Sequence, residues 1–166
     1  MIFWAKFGIV ISEIYERAEY HMKIAIGSDH GGVNHKAYIK ECFTAKGHTF
    51  VDFGTQEGIP ADYPDVAKVV SEAVRDEDFD CGILICGTGI GMSIAANKVK
   101  GIRAAHVTDT YSAKMAKQHN DAHIICLGER ITGPDLAIDI VESFLSQEHL
   151  GDRHARRVQK IMDIEK

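Results

Sequence analysis

The four cysteines, Cys42, Cys81, Cys86 and Cys126, form no C-x-x-C pair, and none stands at a zinc-site spacing from a histidine. The pattern reads as reduced thiols in a cytoplasmic protein. Basic charge is also short: 19 Lys and Arg face 24 Asp and Glu, a net charge of −5 at pH 7. That excludes a general nucleic-acid face, which needs surplus positive charge. No apolar run approaches the ~18 residues of a membrane span. The first 21 residues lack a basic leader and a small-residue cleavage site, so they do not read as a secretory signal. Repeats and low-complexity tracts are missing too.

What remains is ordinary globular material: 166 residues, 45% hydrophobic and 26% charged. This suits one domain with enough core to fold alone. A clean strand pattern opens at Met22, so residues 1–21 read as an N-terminal extension and 22–166 as the domain. Phe3, Trp4 and Phe7 give the extension a second reading, as a segment for a partner or a membrane surface.

From Met22 the chain alternates. "MKIAIGSD", "TFVDFG", "CGILIC", "IRAAHV" and "HIICLG" read as five strands. Between and after them, helices are expected over Val33–Lys46, around Val66–Val74, from the glycine loop to about Lys98, over Tyr111–His119, over Pro134–Leu150 and over Asp152–Ile164. In the second helix Val66, Val69, Val70, Ala73 and Val74 recur at helical spacing. The strands are continuous apolar runs, which predicts a parallel sheet covered on both faces. The fold class is therefore α/β, a three-layer sandwich around a five-stranded doubly wound, Rossmann-like sheet. Ligands in such folds bind beyond the carboxyl ends of the strands. There stand "GSDHGG", "CGTGIG" and "GERITG".

The central piece is "CGILICGTGIGMSIAANK", an apolar strand ending in Cys86 and entering a loop of alternating glycines. Glycines let backbone approach a ligand, and the following helix start offers free N–H groups. Together they make an anion or oxyanion cradle. The spacing is neither G-x-G-x-x-G nor a P-loop, which disfavours a dinucleotide or ATP. A plain strand-to-helix turn is the bland alternative. A thiol at a helix start has its thiolate favoured and suits a nucleophile or general base. Its alternative is a small buried hydrophobe, for which Cys126 is the control. His119 and Asn120 stand at a helix end, where a histidine acts as an acid or base near neutrality or merely favours the dipole. Asp29 and His30 suit substrate hydroxyls or a plain Asx turn. Arg153 and Arg157, four apart, share a helical face fit for a phosphate or for solvent. Arg130 is a further cation at a strand end.

Taken together, "IGSDHGG", "DYPD", "GILICGTGIGMSIAANK", "GIRAA", "YSAKMAKQHNDAHIICLGERI" and "RHARRV" resemble the type B ribose-5-phosphate isomerases, grouped with the galactose-6-phosphate isomerase subunits. The resemblance covers nearly all of the chain from Met22. It implies interconversion of ribose 5-phosphate and ribulose 5-phosphate through an enediolate, in the pentose phosphate pathway, with no metal and no organic cofactor. It aligns Cys86 with the proton-abstracting base and His119 with the ring-opening acid. Gly87, Thr88, Gly89, Ile90 and Gly91 align with the loop at the reacting end, where Thr88 relays a proton. It aligns Asp29, His30, Tyr63 and Asn120 with sugar contacts, and Arg130, Arg153 and Arg157 with ligand and phosphate contacts. Met92 stands where some relatives carry a glutamate base. The resemblance also implies a homodimer with composite sites, with a tetramer as the alternative. Two further readings are a hexose 6-phosphate isomerase on the same scaffold and a silent sugar-phosphate-binding module. A Cys/His acyl-transfer enzyme is a third.

Overall fold

The computed structural model describes residues 21–166; the expected extension lies outside them except for His21. Five strands form one parallel sheet: β1 Lys23–Ser28, β2 Thr49–Asp52, β3 Cys81–Cys86, β4 Ala104–His106 and β5 Ile124–Gly128. Their spatial order is β2-β1-β3-β5-β4. The central strands β3 and β5 are buried throughout, as is β1 beyond Lys23, while the short edge strands β2 and β4 are largely open to water. Continuous apolar runs therefore mark the middle of the sheet, and the polar ones its edges.

The helices are α1 Val33–Thr44, α2 Tyr63–Asp76, α3 Ile90–Ala96, α4 Thr110–Asn120, α5 Pro134–Leu145 and α6 Asp152–Met162. The strand period of two divides the core. Ile24, Ile26, Ile83, Ile85, Ile125 and Leu127 face α1, α4 and α5, where they meet Ile39, Phe43, Ile140, Val141 and Phe144. Ala25, Leu84, Cys86 and Cys126 face α2 and α3, where they meet Val66, Val70, Met92 and Ala96. Each fully buried Ile or Leu contributes about 1.5–3 kcal/mol. The α/β three-layer sandwich follows from this division. The chain leaves β1 for β2 on one side and returns to β3 on the other, opening a crevice at the carboxyl ends of β1 and β3.

The larger departures from expectation are two boundaries and one helix face. The helix expected to reach Leu150 stops at Leu145, because the next residues turn to serve the end of α4. There the Leu150 N–H donates to the Gln118 carbonyl at 3.0 Å, and His149 Nδ1 lies 3.0 Å from the same oxygen. The strand "IRAAHV" shrinks to Ala104–His106, because Ile102 bonds back to Val99 in a turn. Val69 is exposed: the buried stripe of α2 runs through Val66, Ala67, Val70, Ser71 and Ala73, rotated away from it.

Candidate active site

Cys86 is the last residue of β3 and points, like Leu84, toward α2 and α3. Beyond it the chain must reverse into α3 within a few residues. It does so at Gly89, whose φ of 77° lies in the left-handed region that favours glycine. This turn aims the Gly89 N–H at Cys86, where it donates to Sγ at 3.1 Å. The thiol is 6% exposed, so it sits just beneath the loop rather than deep in the core. Burial pushes the Cys81 thiol up to about 12 and Cys126 higher still. Those two thiols have no use as a base near neutrality, whereas Cys86 has a donor facing its sulfur.

The neighbouring loops close around this point. The Glu129 N–H donates to the Cys86 carbonyl at 2.9 Å and the Arg130 N–H to the Gly87 carbonyl at 3.0 Å. These bonds extend the β3–β5 pairing past the strand ends. The Arg130 side chain then lies across Gly87, where an added Cβ would stand 3.2 Å from Cζ. Tyr63 opens α2 and packs its ring over Gly91, where a Cβ would stand 2.7 Å from Cε2. Lys36, itself buried, donates to Asp52 Oδ1 at 3.0 Å and to the Thr55 carbonyl, holding the loop that leads to Tyr63. Asp29 is nearly buried and its Oδ1 accepts from the Gly31 N–H at 2.8 Å, so the Asx turn is real. That turn touches the glycine loop at Gly87 and leaves His30 exposed beside it. Thr88, Ile90 and Arg130 are exposed at the mouth.

Two residues of this rim were not anticipated. His106 ends β4, and its Nε2 donates to the Thr88 carbonyl at 2.8 Å. The carboxyl-end rule that picked out Asp29 and Arg130 would also have found it. Glu129 accepts from Asn34 Nδ2 at 2.7 Å and from the His35 N–H at 3.0 Å, joining the start of α1 to the end of β5. Nothing in its local sequence signals that bond.

The other expected residues lie elsewhere. Parallel strands and returning helices place the last turn of α4, with His119 and Asn120, at the amino ends of the strands. Lys117, two residues earlier, lies near Cys81, the first residue of β3. With about 3.3 Å per residue, the two ends of β3 are about 17 Å apart. His119 stacks flat on His154 of α6, ring centres 4.1 Å apart and planes 9° from parallel. Arg153 Nε donates to His154 Nε2 at 3.2 Å. Burial, then repulsion from His119, Arg153 and Arg157, holds His154 below the usual histidine range. Arg153 and Arg157 are exposed beside this pair. The expected residues thus fall into two groups: a thiol, donor loop, Tyr63 and Arg130 at the carboxyl edge, and histidines with two arginines at the amino edge. A cavity of about 730 Å³ also opens at the amino edge, lined by Met22, His48, Cys81, Lys117, Phe144 and His149 among others. It contains none of the expected site residues. Among the described residues, no three His, Cys, Asp or Glu side chains converge to hold a metal ion, and no helix is long and apolar enough to cross a membrane.

A doubly wound parallel sheet with a thiol under a glycine loop at its switch point defines an enzyme scaffold for a small ligand at the carboxyl edge. The chain belongs to the Ribose/Galactose Isomerase family, whose sequence profile matches residues 24–161. It is similar to the ribose-5-phosphate isomerase B of Clostridium thermocellum: 55% identity, a TM-score of 0.85, and coverage of 87% of this chain and 97% of that one. The ribose-5-phosphate isomerase B of Mycoplasma genitalium, solved with bound ribulose-5-phosphate, is 42% identical with a TM-score of 0.82, covering 87% and 98%. The ribose-5-phosphate isomerase B of Escherichia coli strain K12 is 44% identical over 143 residues, 86% of this chain and 96% of that protein.

Proposed function

We propose that this isomerase interconverts ribose 5-phosphate and ribulose 5-phosphate, and that residues 22–166 carry the whole reaction. The observation that carries the reading is the Cys86 thiol, set under a loop whose Gly89 N–H points at its sulfur. The similarity to ribose-5-phosphate isomerases B, one of them solved with bound ribulose-5-phosphate, supports the substrate pair over a hexose phosphate or a silent binding module.

Moving a carbonyl between C1 and C2 needs a base on one face and donors for the resulting enediolate. Cys86 takes the C2 proton and returns it to C1, so atoms and charge balance within one sulfur. The free N–H groups of Gly87–Gly91 stabilise the enediolate oxygens, and the Thr88 hydroxyl moves a proton between them. Asp29, His30 and Tyr63 hold the sugar, with Arg130 at the rim. The closed ring must first open, which is the work of His119 with Asn120 beside it. Arg153 and Arg157 hold the phosphate, whose binding energy is remote from the reacting carbons. His119 and Cys86 stand at opposite ends of one sheet, so the complete site takes its second half from another copy of the chain. A homodimer supplies two such sites by symmetry, and a tetramer is two of these dimers. The setting is cytoplasmic, in keeping with four free cysteines.

The test is exchange of the substrate C2 proton with solvent deuterium. Cys86→Ala abolishes exchange while circular dichroism and melting stay close to the parent. Exchange at the parent rate in that variant would remove Cys86 as the base. Faster turnover of allose or galactose 6-phosphate than of ribose 5-phosphate by the parent enzyme would move the reading to the hexose substrate.

A further inference from the structure

The carbonyl of Thr88 and the N–H of Gly89 belong to a single peptide unit. Its oxygen accepts from His106 Nε2 at 2.8 Å, while its N–H donates to Cys86 Sγ at 3.1 Å. A carbonyl only accepts, so the proton of the first bond sits on His106 Nε2. The three groups therefore form a directed line: imidazole N–H, amide, sulfur. A trans peptide holds its C=O and N–H on opposite sides of the plane. Fixing the oxygen from the β4 side thus fixes where the N–H points.

We propose that His106 is a positioning residue for the base, aligning and polarising the Thr88–Gly89 amide so that its N–H supports the Cys86 thiolate. This rests on Cys86 being the base, and it adds a residue that reaches no substrate atom. Two effects contribute. The loop between Cys86 and Ile90 contains Gly87 and Gly89, so its backbone has freedom to lose, and a bond from a strand end limits it. Donation to a carbonyl also polarises its amide, making the N–H a better donor; chain cooperativity is worth roughly 10–30% per bond. The packing agrees. The His106 ring lies over Gly89, where a Cβ would stand 2.8 Å from its Cδ2 and 2.9 Å from the Leu127 carbonyl carbon. The other ionisable groups around the loop are Arg130 across Gly87, Asp29 against the same loop with His30 beside it, Tyr63 over Gly91 and the buried neutral Cys126. None of them touches the Thr88 carbonyl among the hydrogen bonds of the described residues, so removing His106 leaves that oxygen to water.

The experiment follows iodoacetamide alkylation of Cys86 by mass spectrometry from pH 5 to 9, in a Cys42→Ser background that removes the other partly accessible thiol. His106→Leu shifts the alkylation profile to higher pH, by about half a unit or more, and lowers kcat several-fold with little change in KM. His106→Gln keeps a side-chain N–H donor and restores both profile and kcat toward the parent. A His106→Leu profile that superimposes on the parent overturns the proposal, as does a shift that Gln leaves uncorrected. Cys86→Ala, assayed alongside for C2 exchange, separates the two claims. Exchange surviving in Cys86→Ala overturns the base assignment, whereas a normal profile in His106→Leu overturns only the relay.

Discussion

Both ring nitrogens of His123 face Arg103. The backbone N of Arg103 lies 3.2 Å from Nδ1, and its guanidinium donates to Nε2 at 3.0 Å. A doubly protonated ring would have no acceptor left for either. Burial, reinforced by the Arg103 charge, lowers the His123 pKa to about 4. The unfolded chain takes up this proton near pH 6.5, the native state only near 4, so acid favours unfolding across that window. The expected loss is about 2 kcal/mol at pH 5 relative to pH 7. Asp121 adds a second loss at lower pH. Burial pushes it up, but Lys117 and Arg103 hold it below the usual carboxylate range. Urea unfolding of the parent and of His123→Gln at both pH values checks this: the variant loses markedly less between pH 7 and 5, and an equal loss would clear His123. At this scale the sequence was readable where a role depends on position along one strand. Cys86 ends β3 and opens a glycine loop, and both facts are local. His106 was readable only as a residue at a strand end; its bond to Thr88 was not, because that bond depends on β4 lying beyond β5. Chain order alone does not reveal that order of strands.

The helices carry the next level. All of the expected strands and helices are present in their expected order, because continuous apolar runs and helical stripes are local signals. Their ends were less legible. The stretch Ser146–Leu150 continues the composition of a helix, yet it unwinds to cap α4 at Gln118, a partner about thirty residues away. The face of α6 was read correctly as holding Arg153 and Arg157 together, but its neighbour was not. His154, between them in sequence, is buried against His119 and accepts from Arg153. So α6 packs its buried face on α4: His154 stacks on the His119 ring and holds the Arg153 guanidinium. Arg153→Ala and Arg157→Ala each raise KM for ribose 5-phosphate, with a loss of about 2–3 kcal/mol in kcat/KM for a charge-assisted contact. The advantage of ribose 5-phosphate over free ribose shrinks in parallel. Steady-state kinetics on both sugars makes the measurement, and an unchanged preference would return the two arginines to a merely solvated face.

At the scale of the whole molecule, the proposed dimer rests on the separation between the two edges of the sheet. Cys86 and its loop sit at the carboxyl edge of the sheet, and His119, Arg153 and Arg157 at the amino edge, about 17 Å away along β3. A pentose phosphate does not span that gap, and an open rim at one edge does little to keep water from an enediolate. A two-fold dimer that brings each carboxyl edge to the other's amino edge resolves both difficulties. The consequence can be tested by mixing. Cys86→Ala and His119→Asn chains are each nearly inactive alone, since every site in either homodimer carries one lesion. Unfolded together and refolded, they pair at random, and about half of the dimers are mixed. In a mixed dimer one site combines the intact Cys86 with the intact His119, and the other combines both lesions. Roughly a quarter of all sites therefore recover parent turnover. If each site drew both residues from its own chain, every site would still carry a lesion and mixing would restore nothing. Tagging the two chains differently and purifying through both tags isolates the mixed dimer, where half of the sites are intact. Parent-like turnover at half the parent amount establishes the shared site, and a purified mixed dimer without turnover rejects it.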